Sequence, residues 1–171
     1  MILSFTELLD HYDNKLDFLN NNMNIDVIYL DFAKAFDKVD YGVILQKIKC
    51  LGVDDETLKW LTSFLTGRNQ TVVVNGHSSD PKLVISGVPQ GSVLGPLIFL
   101  ILLADIDKKV IVSKVRSFAD DTRAMNGICH QDQSLQLQHD LNSIYEWTTL
   151  NNMELNEVKF ELLRYGNNEL L

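Results

Sequence analysis

Ser117-Phe118-Ala119-Asp120-Asp121-Thr122 sets two adjacent carboxylates between an apolar alternation, Val112, Val115 and Phe118, and the shorter run Ala124-Met125. A period-two pattern on both sides of a short polar break reads as a tight hairpin with an acidic tip. Neighbouring acids at a strand junction repel each other and solve no folding problem. They make sense if a cation sits between them and a second acidic strand. Such a strand lies upstream. Ile25-Asp26-Val27-Ile28-Tyr29-Leu30-Asp31-Phe32 is a β-branched, nearly continuous apolar run, the mark of a strand covered on both faces, and Asp31 ends it. Asp31 and Asp120 are therefore expected to converge on divalent metal, whereas Asp26, at the far end of the run, is expected to face solvent.

Working outward, Phe5, Leu8, Leu9, Tyr12, Leu16 and Leu19 recur at helical spacing, and Asn20-Asn21-Asn22 breaks the pattern before the first strand. Helices follow over Val43 to Leu51, stopped by Gly52, and over Asp55 to Thr66, stopped by Gly67. Asp54, Asp55 and Glu56 read as acids satisfying a helix N-terminus, and Asp37 and Asp40 as capping or surface acids. Gln70-Thr71-Val72-Val73-Val74 and Lys82-Leu83-Val84-Ile85 read as a hairpin whose loop spans His77 to Pro81. Ser86 to Pro96 holds three glycines and two prolines ahead of an apolar helix, so its backbone N–H groups can approach a ligand closely. Leu135, Leu137, Leu141, Ile144, Tyr145 and Trp147 mark a long amphipathic helix, and a last strand is expected over 160–165. The order gives one α+β domain over 1–171. Its centre reads as βαββαβ, a split antiparallel sheet with helices on one face plus an accessory hairpin.

Composition bounds the reading. The chain has 171 residues, 46% hydrophobic and 22% charged, which excludes disordered and collagen-like classes. Its net charge of −8 is unfavourable for gripping phosphate without basic partners. Cys50 and Cys129 are the only cysteines and form no CxxC, so neither a disulfide framework nor a cysteine-rich zinc site is expected, and a reducing intracellular compartment follows. The first residues lack the basic region of a signal peptide, and no apolar run is long enough to span a bilayer.

Leu30-Asp31-Phe32-Ala33-Lys34-Ala35-Phe36-Asp37, Gly87-Val88-Pro89-Gln90-Gly91-Ser92-Val93-Leu94-Gly95-Pro96, Phe118-Ala119-Asp120-Asp121 and Leu155-Asn156-Glu157-Val158-Lys159 occur in the order of palm motifs A, B, C and D of reverse transcriptases. In wording the chain most resembles non-LTR, LINE-type retrotransposons, over about Asp10 to Tyr165. The resemblance implies a polymerase palm that adds deoxynucleotides to a primer 3′-hydroxyl, with two Mg²⁺ ions, or Mn²⁺ in their place.

By that resemblance Asp31, Asp120 and the backbone carbonyl of Phe32 ligate metal, and Asp121 supports them. Phe36 packs under the nucleotide sugar and excludes a 2′-hydroxyl, while Gln90, Gly91 and Ser92 meet the incoming nucleotide and templating base. Lys159 neutralises or protonates the pyrophosphate. The implied partners are RNA template, DNA primer, deoxynucleoside triphosphates and the remainder of the polymerase, including basic fingers and a thumb, which are expected to lie outside this chain; the resemblance leaves open whether an endonuclease accompanies them. Two other readings fit the same acids: a silent remnant acting as a binding module, and a metal-dependent phosphodiesterase.

Overall fold

The computed structural model describes residues 2–21 and 23–166. The continuous apolar run forms β1 (Asn24–Leu30), one of the two inner strands of a four-stranded antiparallel sheet. β6 (Lys114–Phe118) and β7 (Asp121–Ile128) form the acidic hairpin, β8 (Glu161–Tyr165) is the last strand, and the order is β6-β7-β1-β8. Ile25 and Val27 are fully buried and cluster with Met125. Phe18, from α1 (Ile2–Asn20), Tyr29 and Tyr165 pack onto that cluster. Burial of each such aliphatic side chain contributes roughly 1.5–3 kcal/mol. A Cβ on Gly127 would stand 2.6 Å from the Phe18 ring, so any larger residue there would have to displace that ring.

The buried first half of β1 includes a charged residue. Asp26 is 3% exposed, so it does not face solvent as its position at the strand end suggested. Arg164 on β8 lies directly across from it and donates from Nε and Nη2 to its two carboxylate oxygens, each at 2.6 Å. That pairing holds the guanidinium pKa above its ordinary value.

α5 (Gln131–Leu150) lies against β7. Its Trp147 meets Phe32 edge to face at 6.5 Å and donates to Asp105 at 2.9 Å. Because Phe18 covers the face of Ile25 and Val27 while Asp26 between them is also buried, the expectation of helices on one face does not extend to α1. Asp140, buried within α5, accepts from the backbone N–H groups of Ile111 (2.8 Å), Val112 (3.0 Å) and Ser113 (2.7 Å), fixing the chain just before β6. Burial pushes its pKa up, but these bonds outweigh that and hold the carboxyl below its ordinary value.

These elements form one compact unit, Met1–Ala33, Asp105–Leu150 and Glu154–Leu171; the other is Lys34–Ala104 with Asn151–Met153. In the second, α2 (Tyr41–Cys50) begins at Asp40, which accepts from Val43 N–H at 3.0 Å, and α3 (Asp55–Leu65) begins at Asp54, which accepts from Glu56 and Thr57. The capping readings of both acids hold. The accessory hairpin is two short ladders, β2 (Asn69–Gln70) with β5 (Lys82–Leu83), and β3 (Val73–Val74) with β4 (His77–Ser78). His77 and Ser78 are therefore strand rather than loop. The reason is the turn: Asn75 and Gly76 both take positive φ, the two-residue geometry that returns the chain at once. α4 (Leu94–Leu103) buries Ile98, Phe99, Leu102 and Leu103, and Lys47 of α2 donates to its Leu102 carbonyl at 2.7 Å.

Candidate active site

Two-residue closure of the acidic hairpin decides where its carboxylates stand. Phe118 pairs with Asp121, so Ala119 and Asp120 alone make the turn, and Ala119 carries a φ of 52°. A non-glycine residue there stores on the order of 1 kcal/mol of strain. Ser117 and Thr122, the next pair inward, join hydroxyls at 2.8 Å, and Thr122 is almost fully buried. The register therefore cannot slip without breaking a buried bond.

β1 runs antiparallel beside β7 with Leu30 opposite Thr122, so Asp31 leaves β1 at the end where Asp120 and Asp121 begin β7. The chain after Asp31 is also held. Asn156 N–H donates to the Asp31 carbonyl and Ala33 N–H to the Glu154 carbonyl, both at 2.8 Å, bracketing a Phe32–Leu155 bridge. In this type of antiparallel pair the flanking residues make the bonds, which turns the carbonyl of Phe32 away from Leu155. The short helical turn Glu157–Lys159 follows, and Lys159 Nζ sits 3.1 Å from Asp31 Oδ2. The Asp31 side chain is 25% exposed and that of Lys159 62%.

Asp31, Asp120, Asp121 and Lys159 thus belong to one unit and gather at one end of its sheet. Among the described residues no set of three or more His, Cys, Asp or Glu side chains is drawn together closely enough to hold a metal. The donor chemistry nevertheless fits Mg²⁺, which takes hard oxygens, keeps several waters and needs only one or two carboxylates. Asp31 already attracts a cation in the form of the Lys159 ammonium.

The other residues singled out in the sequence lie in the second unit. Phe36 leans on Phe99 with ring centres 4.8 Å apart and stays partly exposed. Gln90 is exposed and donates to Asp37 Oδ1 at 2.9 Å. Gly91 turns the loop at φ +77°. The Ser92 hydroxyl donates to the Pro89 carbonyl at 2.7 Å and accepts from Gly95 N–H at 3.0 Å, and Ser92 N–H also donates to the Pro89 carbonyl at 3.2 Å, so the residue ties the loop to the start of α4. Arg68, in the same unit, is partly exposed and donates to the carbonyls of Leu65 and Gly87 and to the Tyr41 hydroxyl. Sequence reading passed over Asp37 as a surface acid and missed Asp140. The signal for Asp140 was an acid on the stripe of Leu137, Leu141 and Ile144.

A family model described as reverse transcriptase (RNA-dependent DNA polymerase) matches residues 8–168. The RNA-directed DNA polymerase from mobile element jockey of Drosophila funebris is 31% identical over 147 residues, covering 81% of this chain and 16% of that protein. A retrovirus-related Pol polyprotein from type-1 retrotransposable element R2 of Popillia japonica is 31% identical over 99 residues, 58% of this chain and 16% of that protein. The chain therefore spans a small part of the curated relatives it matches. Apo telomerase from Candida tropicalis, truncated from its C-terminal domain, superposes with a TM-score of 0.69 at 14% identity, over 99% of this chain and 36% of the telomerase chain. At that identity the likeness establishes the fold alone. Motif order, family match and relatives agree that the chain belongs to the reverse transcriptase (RNA-dependent DNA polymerase) family, in the lineage of LINE-type mobile elements.

Proposed function

We propose that this chain is the palm of an RNA-directed DNA polymerase that extends a primer 3′-hydroxyl with deoxynucleotides on an RNA template. One observation carries the reading: Asp31 and the Asp120–Asp121 pair stand at the same end of adjacent antiparallel strands, fixed by the Leu30–Thr122 register. The strand order β6-β7-β1-β8 supports a split βαββαβ, ferredoxin-like palm.

Asp31, Asp120 and the Phe32 carbonyl are the groups that would hold two Mg²⁺ ions, with Asp121 beside them and Mn²⁺ as a substitute. Bound there, the ions would supply charge neutralisation at the attacking and leaving oxygens. The residues themselves do the positioning. The bonds at Asn156 and Ala33 hold the backbone around Phe32, and the Ser117–Thr122 pair holds the hairpin tip. Lys159, already beside Asp31, would offset the charge of the departing pyrophosphate. Phe36, supported by Phe99, would exclude a 2′-hydroxyl from the incoming sugar. Gln90, Gly91 and Ser92 would line the approach of nucleotide and template. The acidic balance of the chain leaves most of the electrostatic grip on phosphate to the remainder of the polymerase.

The test is incorporation of labelled dTTP on primed poly(rA), measured in the polymerase polypeptide that contains this chain. Asp120→Ala should abolish it. Incorporation that survives the substitution overturns the assignment, and nuclease turnover without triphosphates would favour a phosphodiesterase instead.

A further inference from the structure

A second set of polar groups lies in the unit of α2 to α4, apart from the acids at the end of β1. Asp37, Arg68, Asn69, Gln70, Ser86 and Gln90 line a cleft of roughly 650 Å³, within the size range of small-ligand sites. Arg68 is held rigidly in it. Its Nε donates to the Leu65 carbonyl at 2.8 Å, its Nη2 to the Tyr41 hydroxyl at 2.7 Å and to the Gly87 carbonyl, and the guanidinium carbon stands 5.9 Å from the Tyr41 ring centre. Among the described residues these bonds use Nε and Nη2, so Nη1 is the edge available to a ligand. An arginine fixed in this way gives up little conformational freedom on binding.

The opposite wall is equally set. Ser86 Oγ donates to the Asp37 carbonyl at 2.8 Å, Gly87 N–H to Val39 at 2.8 Å and Val88 N–H to Phe36 at 2.9 Å. Gly87 has φ +85°, and a Cβ on it would lie 2.7 Å from the Asp37 carbonyl oxygen, so only glycine lets the two segments approach this closely. Gln90 takes Oδ1 of Asp37, which leaves Oδ2 as an acceptor.

One cation, one anion and neutral amides and hydroxyls make a poor site for a triphosphate, whose several negative charges would meet Asp37. A single phosphodiester beside a hydroxyl donor suits them. In a nucleic-acid backbone the group that can donate to a carboxylate is the ribose 2′-hydroxyl.

We propose that this cleft holds one nucleotide of single-stranded RNA, with Arg68 Nη1 donating to its phosphodiester and Asp37 accepting from its 2′-hydroxyl, so that it distinguishes an RNA template from DNA. The identity of the strand rests on the polymerase reading; the recognition chemistry is independent of the acids on β1 and β7.

The experiment is fluorescence anisotropy of the full chain with labelled oligo(U) and oligo(dU), which differ only in the 2′-hydroxyl, in EDTA. Wild type should bind oligo(U) about tenfold more tightly, as expected of a hydrogen bond to a charged group. Asp37→Ala should bring the two affinities together by weakening RNA binding alone. Asp37→Asn, which keeps an acceptor for Gln90 and guards against collapse of the loop, should lower the ratio in the same direction. A ratio that survives both variants, equal affinity for both strands, or binding of neither overturns the proposal. Displacement of oligo(U) by dTTP from wild type but not from Asp37→Ala would make this a triphosphate site and overturn it as well. Asp120→Ala should leave the ratio unchanged, so a failed incorporation assay bears on the polymerase reading alone.

Discussion

Asp26 lies on β1 and Asp31 just past its end, and each is met by a cation from the C-terminal segment, yet the two pairs differ in kind. Arg164 grips Asp26 with two nitrogens at 2.6 Å, and the carboxylate side chain is 4% exposed. Lys159 touches Asp31 at a single 3.1 Å distance, with the carboxylate 25% exposed. The planar fork of arginine closes a buried acid, whereas a point charge on a flexible stem can be replaced. An acid with its partners complete is structural; an acid held by one displaceable cation is available for chemistry.

The sharpest way to break this contrast is at the open end. Asp120→Ala should lower nucleotide incorporation on the order of 10³-fold, the scale of removing a group that stabilises developing charge. The urea midpoint of the chain should hardly move. At the closed end the effects reverse: Arg164→Ala leaves a buried carboxylate unpaired and should cost about 3 kcal/mol in urea unfolding. Divalent-metal binding by the surviving folded protein should be unaltered.

Asp140 extends the comparison to a third acid, closed by backbone instead of a cation. Asp140→Ala strands three N–H groups and should cost about 2 kcal/mol. Its folded-state pKa lies below the unfolded value of about 3.9. The stabilisation is therefore complete above that unfolded value and is lost as pH falls through the lower folded one. Asp140→Asn should accordingly flatten the acid limb of the stability curve, read as urea midpoint against pH. The smallest effect is expected at the turn. Ala119→Gly relieves the positive φ but adds freedom to the unfolded chain, for a net gain of about 0.5 kcal/mol. Incorporation should nonetheless fall, because the turn that aims Asp120 becomes looser.

Much of this was legible in residue order. The uninterrupted apolar run announced β1, and the Asp-Asp break announced the hairpin, because periodicity and turn length are local properties. Asp37 and Asp40 lie within the same short stretch, yet only the capping role of Asp40 could be read, since the bond of Asp37 comes from Gln90, far along the chain. Asp26 failed for the same reason: its burial depends on Arg164, which no local window contains. His77 and Ser78 were placed in the loop because nothing in their own polar character shows that Asn75 and Gly76, both at positive φ, close the hairpin alone. Lys159 was legible through the motif Leu155 to Lys159, but its ion pair with Asp31 was not, since it requires the Phe32–Leu155 bridge.

The most direct test of the difference between the two ends of β1 is a Mn²⁺ titration followed by electron paramagnetic resonance on wild type and Asp31→Asn. Wild type should quench the signal of the free ion on binding, and Asp31→Asn should lose that binding while keeping the unfolding midpoint of wild type. Undiminished Mn²⁺ binding by Asp31→Asn would contradict the assignment of a shared cation to Asp31 and the hairpin tip.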